Sequence, residues 1–336
     1  LGLIILFWSV RDWLSGARPT RSSISLNPRL KRLLFLICLN GGALALECIL
    51  QRIHYGDTPG KLLFLVEPVI NYQNIAQFGP FAYRSNAASY LNLIWPLGLG
   101  LLIQLGKENL DYVKRRIGSG PELLLIPNVI LAASAPFISS ARGGALVMVG
   151  LLILAAVSMI FLKVSSKFLR LSVSTALLVG LGAAYYQGWE KLEPRLINIF
   201  SDNMSGRTQI YDVTNKIIDD YGLFGSGPGT FEAVAQFELG ETFTRWASWV
   251  HNDYLEFYLT FGKPGGAILI ALAAILALQC TGIILEASTR PLKWFGFLAV
   301  VGVATHAILD FPLQVYSILT LLLLITAVIL TYRPPG

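Results

Sequence analysis

The chain has 336 residues, of which 54% are hydrophobic and only 14% charged, with a mean hydropathy of +0.60 and a formal net charge of +6. A soluble domain carries about a quarter charged residues, so this composition excludes one and points to an all-α polytopic membrane protein. The positive balance does not call for nucleic acid, because its distribution along the chain explains it as membrane topology. Cys38, Cys48 and Cys280 lie in or near apolar stretches, with neither metal-ligand spacing nor a disulfide framework.

The chain opens inside an apolar run, Leu1–Val10, too short for about 30 Å of hydrocarbon. With no initiator Met, the expectation is that further N-terminal spans precede it. Apolar windows of spanning length then follow near Leu33–Leu50, Ala87–Leu105, Leu123–Ile138, Gly144–Leu162, Leu171–Tyr186, Gly266–Leu285, Trp294–Leu309 and Tyr316–Tyr332. The chain divides accordingly into spans over 1–188 with an external segment at 51–86, a large polar loop at 189–264, and C-terminal spans over 265–336.

Orientation comes from the loop cations. One alternating set of loops holds sixteen of the 26 basic residues, among them Arg29, Lys31, Arg32, Lys114, Arg115, Arg116, Arg290 and Lys293, against five acidic ones. The positive-inside rule makes that set cytoplasmic and puts the 189–264 loop outside, in a periplasm or its equivalent.

Within the loop, Ser205 reads as the N-cap of a helix from Gly206 to Asp220, with Ile210, Val213, Ile217 and Ile218 on one face and Gly222 as its stop. A second helix is expected from near Trp249, broken or bent at Lys263-Pro264-Gly265-Gly266. The cluster Gly225-Ser226-Gly227-Pro228-Gly229 lacks the lysine and the strand-to-helix setting of a phosphate loop. It reads instead as a turn that folds the loop back over the membrane. Asp219 and Asp220 have no spaced partner for a metal, and neither a metal nor another cofactor is expected.

Four residues stand out for chemistry. Arg142 sits on a very short external turn between two spans, where a guanidinium is costly unless paired or used. It could snorkel and hold a helix end. The adjacent Gly143-Gly144, which permits close backbone approach, favours a ligand role, and arginine's planar fork suits phosphate oxygens. Arg84 follows Phe81-Ala82-Tyr83 at the external mouth of a span, as an interfacial or a ligand-binding arginine. Arg207, near the start of the loop helix, is at the wrong end for the helix dipole and so favours an anionic partner. His251 begins His251-Asn252-Asp253 near the membrane; a neutral imidazole there suits a general base, although Asn and Asp are also ordinary helix-starting residues. His306 and Asp310, one turn apart, could hydrogen-bond to each other and read as a structural or supporting pair.

The ordered set Phe81-Ala82-Tyr83-Arg84-Ser85-Asn86-Ala87, Ser140-Ala141-Arg142-Gly143-Gly144, Ser205-Gly206-Arg207, Leu223-Phe224-Gly225-Ser226-Gly227-Pro228-Gly229, His251-Asn252-Asp253-Tyr254-Leu255-Glu256, Phe261-Gly262-Lys263-Pro264-Gly265 and His306 with Asp310-Phe311 resembles the O-antigen ligase/O-antigen polymerase family of bacterial membrane glycosyltransferases. The resemblance implies a GT-C-like helical bundle in the inner membrane, active on its periplasmic face. It implies a glycan donor linked to undecaprenyl pyrophosphate, and as acceptor either lipid A-core or a growing glycan. On the matching positions, Arg142 and Arg207 would act with His251 in catalysis, and Arg84, Asn252 and Asp253 would contact substrate. Such a reaction would invert the anomeric carbon without a metal. A transporter of polyprenyl-linked or anionic solutes is the alternative from another class. Against it, Glu47 is the one acidic residue near a span interior, whereas the candidate cations gather on one external face.

Overall fold

The computed structural model describes residues 2–16, 26–56, 61–66, 76–112, 121–161, 203–239, 248–286 and 290–331, with isolated positions between 174 and 197. In chain order the helices are α1 (Gly2–Ser15), α2 (Pro28–Tyr55), α3 (Arg84–Tyr112), α4 (Leu125–Ile138), α5 (Arg142–Phe161), α6 (Asn203–Tyr221), α7 (Phe231–Leu239), α8 (Asp253–Glu286), α9 (Pro291–Leu309) and α10 (Tyr316–Thr331). Short 3₁₀ turns precede α4 and α10, at Pro121–Leu124 and Pro312–Gln314. Isolated bridges join Leu62 to Val66 and Phe78 to Phe81, and the described residues contain no strand.

Helices α2, α3, α5, α8 and α9 are long and apolar enough to cross a membrane, and α4 and α10 are shorter apolar helices. The chain is a multi-pass membrane protein. The span expected at 171–186 lies outside the described residues apart from isolated positions. Several helices run well past their hydropathy windows, because a window detects only the apolar centre. In α2, Asn27 caps the start by accepting the Arg29 N–H at 2.9 Å, with Pro28 in the first turn. Its 28 residues reach roughly 42 Å at about 1.5 Å per residue, so its ends project beyond the hydrocarbon.

Helix α3 is the axis of the bundle, with α2, α4, α5, α9 and α10 packed around it. Small residues let backbones approach, as membrane helices require when no water drives them together. A Cβ on Gly100 would lie 2.7 Å from Phe295 Cβ of α9, and one on Gly144 would lie 2.3 Å from Ala88 Cβ of α3. Polar groups inside the bundle satisfy one another: Asn92 Nδ2 donates to Gly144 O at 3.1 Å, and Trp95 Nε1 donates to Asn92 Oδ1 at 3.2 Å. Helix α8 leaves Ile268, Ile270, Leu272, Ile275 and Leu278 exposed; on a spanning helix this is a lipid-facing surface.

Glu47 is accounted for structurally. Its Oε1 accepts the Leu63 N–H at 2.8 Å and Gln51 Nε2 at 3.1 Å, fastening the 61–66 turn to α2.

The segment between α5 and α8 has its own small core, in which Ile210 and Ile217 of α6 pack with Phe231 and Ala235 of α7 and with Val250 and Leu259. The expected stripe on α6 is the face that packs. The helix starts at Asn203, so Ser205 lies inside it instead of capping it. Gly222 ends it in the left-handed region (φ 59°), its N–H donating to Ile218 O at 3.1 Å.

Helix α8 begins at Asp253, four residues later than expected, and passes through the anticipated break with a kink at Gly262 (φ 58°). Normally Thr260 O would accept the N–H of residue 264, which as Pro264 has none. The glycine cluster makes good the loss. Ser226 N–H donates to Leu259 O (2.9 Å), Gly227 N–H donates to Thr260 O (3.1 Å), and Lys263 N–H donates to Leu223 O (2.9 Å). At this clasp a Cβ on Gly225 would meet Leu259 O at 2.4 Å, and one on Gly262 would meet Leu223 O at 2.2 Å. The cluster therefore grips the kink of a spanning helix, and the loop boundary expected at 264/265 falls just beyond that grip.

Candidate active site

Arg84 and Arg142 are the first residues of α3 and α5, and α6 and α8 begin close by, so four helix N-termini are gathered at one end of the bundle. Their partial positive charge adds to that of the arginines and favours an anion at this end of the bundle. The C-terminal end of α9 brings Asp310 to the same end.

The centre is a cluster of Arg207, His251 and Asp310. His251 Nδ1 lies 2.9 Å from Asp310 Oδ1, and Arg207 Nη2 lies 3.5 Å from Asp310 Oδ2. Arg207 Nη2 is also 3.5 Å from His251 Nδ1. Two donors cannot share that contact, so the shorter distance decides: Nδ1–H donates to the carboxylate, and the lone pair is on Nε2. Among the described residues Nε2 has no hydrogen-bond partner. Arg207 Nη1 donates to Leu309 O, which fixes the guanidinium on the end of α9. Side-chain exposure separates the roles: Asp310 is 3% exposed, whereas His251 is 24% and Arg207 21% exposed. The carboxylate is shut away, while the imidazole and guanidinium present their edges outward.

Burial alone would raise the Asp310 carboxyl. The hydrogen bond from His251, together with the positive charge of Arg207, more than offsets that and holds it below the ordinary carboxylate range. Burial raises the Tyr83 phenol, the Asp310 charge adds to the effect, and Arg207 and Arg84 oppose it. Arg84 thus acts on the same site electrostatically.

His251 itself is held at φ 58°, a conformation uncommon for a residue with a side chain. The surroundings impose it. Tyr211 Oη donates to His251 O at 3.2 Å, and Val250 N–H donates to Glu256 Oε2 at 3.0 Å. Asn252 Oδ1 accepts the N–H groups of Tyr254 and Leu255, both at 3.1 Å, as the N-cap of α8. Buried Asp253 accepts Leu313 N–H at 2.7 Å and Gln314 Nε2 at 3.1 Å. Both expected substrate contacts, Asn252 and Asp253, are thus engaged within the protein and locate His251.

His306 and Asp310 are joined only through the backbone, where Asp310 N–H donates to His306 O at 3.0 Å, and their side chains do not bond to each other. Helix α9 ends at Leu309, and Asp310 is extended (φ −160°, ψ −163°), which swings its carboxylate to His251. His306, fully buried, instead contacts Ser85 Oγ through Nε2 (3.2 Å) and Ser89 Oγ through Nδ1 (2.5 Å). Gly143-Gly144 serves that contact: a Cβ on Gly143 would stand 3.0 Å from His306 Nε2. The glycines thus seat α5, and with it Arg142, against α3 and α9.

An aromatic wall flanks the cluster. Tyr83 stacks on Phe311 (centroids 5.6 Å), Trp249 stacks on Phe311 (5.0 Å), and Phe311 meets the His251 ring edge-on at 5.1 Å.

Residues 127–270, which carry Arg142, Arg207 and His251, match the family model described as O-antigen ligase. The match supports the O-antigen ligase family for this chain. No curated protein and no solved structure gives a significant match. The family is one of membrane glycosyl-transferring ligases and polymerases, in keeping with a bundle whose polar cluster opens at one end.

Proposed function

We propose that this O-antigen ligase relative transfers a glycan from undecaprenyl pyrophosphate to an acceptor hydroxyl on the external face of a bacterial inner membrane. The observation that carries the reading is the Asp310–His251–Arg207 cluster set among helix N-termini. In the reaction the acceptor oxygen attacks the anomeric carbon, opposite the leaving group and with inversion. Its proton passes to His251 Nε2, whose Nδ1–H remains on Asp310. The bond between the anomeric carbon and the pyrophosphate oxygen breaks, and its electron pair stays with the pyrophosphate. Arg207, Arg142 and Arg84 stabilise that developing charge, a role divalent cations fill elsewhere. Asn252 and Asp253 act by locating His251. The loop of 189–264 supplies Arg207 and His251, and the neighbouring span ends supply the rest.

The placement follows the charge pattern: α9 runs from Arg290 and Lys293 at one end to Asp310 at the other. The test is reconstitution of the full chain with a polyprenyl-pyrophosphate oligosaccharide, comparing wild type with His251→Ala and Arg142→Ala. Undiminished transfer in both variants would sink the mechanism. Offering lipid A-core in one reaction and a growing glycan in another separates ligase from polymerase.

A further inference from the structure

A concavity of about 360 Å3 opens beside the cluster, between the start of α7, the first half of α8 and the 3₁₀ turn before α10. Trp249, Tyr254, Phe257 and Phe261 give it aromatic walls, and Glu232, Ser248 and Gln314 bring oxygen and amide groups to it. Trp249 and Phe261 remain 39% and 41% exposed, so their faces are open to a ligand. Asp253 and Glu256 also line it, and among the described residues its lining holds no Lys, Arg or His. Its electrostatic character is thus opposite to that of the arginine-bearing end of the bundle. A pyrophosphate is favoured there and disfavoured here.

The groove and the cluster share bordering residues. Trp249 lines the groove and also stacks on Phe311, the ring that meets His251. Glu256 lines the groove while accepting the Val250 N–H immediately before His251. The groove thus adjoins the residues that hold His251.

Building on the transferase reading, we propose that this groove is the acceptor subsite and holds an uncharged saccharide segment. Flat aromatic faces cover the apolar faces of sugar rings. Carboxylate and amide oxygens accept from hydroxyls, which arrive as donors. A phosphorylated or otherwise anionic segment is disfavoured by the Glu232 carboxylate and meets no cation among the described lining residues. The size fits a short saccharide, since ligand sites commonly enclose about 300–1,000 Å3.

Two measurements on the full chain in detergent or liposomes test this. The first is direct binding, without donor, of an array of uncharged hexose and N-acetylhexosamine tetrasaccharides and their phosphorylated counterparts. Wild type should bind an uncharged member, and Phe261→Ala and Glu232→Ala should each weaken it about tenfold, the scale of one aromatic or hydrogen-bonding contact. The second is transfer kinetics in the same variants, where the acceptor KM should rise by that factor while kcat and donor KM stay at the wild-type values. Failure to bind any uncharged tetrasaccharide, preference for the phosphorylated ones, or a rise in donor KM instead would overturn the acceptor subsite. Wild type that binds the uncharged sugar but transfers nothing from any donor would overturn the transferase reading and leave the saccharide site. Transfer that proceeds with acceptor KM unaltered in both variants does the reverse.

Discussion

Replacing Asp310 by Asn isolates the electrostatic part of the candidate mechanism, because the two side chains have nearly the same shape. The carboxylate accepts from His251 Nδ1 at 2.9 Å, lies 3.5 Å from Arg207 Nη2, and is only 3% exposed. The amide still accepts one of these bonds, but it no longer offers a charge to the imidazolium formed when His251 takes the acceptor's proton. Charge-assisted bonds exceed neutral ones by about 1–2 kcal/mol each, so losing the assistance at both contacts costs about 2–4 kcal/mol. Expressed at the transition state, that is about 30- to 1,000-fold in kcat. Stability should move differently. A buried charge carries its own desolvation penalty, and a neutral isostere often folds as well or better; the thermal midpoint at neutral pH should stay within a few degrees of wild type. The acid side should respond as well. The folded-state Asp310 carboxyl is held below its ordinary range, so its stabilising contribution is complete above that range and is lost as pH falls through the depressed value. Asp310→Asn removes that contribution and should flatten the acid limb of the unfolding profile. Glycan transfer from a polyprenyl-pyrophosphate donor, followed by initial rates, reads the first effect, and thermal unfolding against pH reads the second. Wild-type kcat in a folded Asp310→Asn protein refutes the His251–Asp310 reasoning.

Arg207→Lys keeps the charge but loses the fork that bridges Leu309 O and Asp310; kcat/KM for transfer should fall about 10- to 100-fold, and a wild-type value would remove Arg207 from the site. Gly262→Ala places a Cβ 2.2 Å from the Leu223 carbonyl oxygen at a φ of 58°, so the clasp must open; a loss of at least about 2 kcal/mol is expected, read as a lower unfolding midpoint and faster proteolysis between α6 and α8. Transfer should persist in excess chelator, because arginines take the part of a cation; abolition by chelator with restoration by a divalent ion would overturn the metal-independent scheme.

The spans were legible where apolar length alone decides, as for α5 and α9, whose bounds follow their hydropathy windows closely. The kink of α8, non-helical at Gly262, was legible from Lys263-Pro264-Gly265-Gly266 as well, but what bridges it was not, because the bridging groups are far away in sequence. Lys263-Pro264-Gly265-Gly266 has the chemistry of a helix break, and taken locally that reading is sound. What keeps α8 going is the Ser226 and Gly227 N–H groups, which satisfy Leu259 O and Thr260 O. Helix α7 was missed for a related reason. Its nine residues are short for independent helix formation, and its stability comes from packing against α6 and Val250.

The site shows the same division between residue type and residue partner. Arg207 and His251 were recognisable as unusual groups in an external loop, but the third member was assigned to the wrong neighbour. The one-turn spacing of His306 and Asp310 predicts a contact only if the helix runs through both, and α9 stops between them. A usable signal was present elsewhere: Ser85 and Ser89, four residues apart in a span, form a polar face able to occupy both nitrogens of a buried His306. With those nitrogens engaged, Asp310 is left to His251. The strained backbone at His251 is consistent with this division. A residue at φ 58° costs about 1–3 kcal/mol and persists only where its surroundings over-determine it. Here Tyr211 holds its carbonyl, Glu256 holds the preceding N–H, Asn252 caps the following helix, and Asp310 fixes the ring. Four contacts, from two helices and two residues at helix ends, set the backbone and ring of a single histidine, which is far more positioning than packing alone requires and what a general base needs.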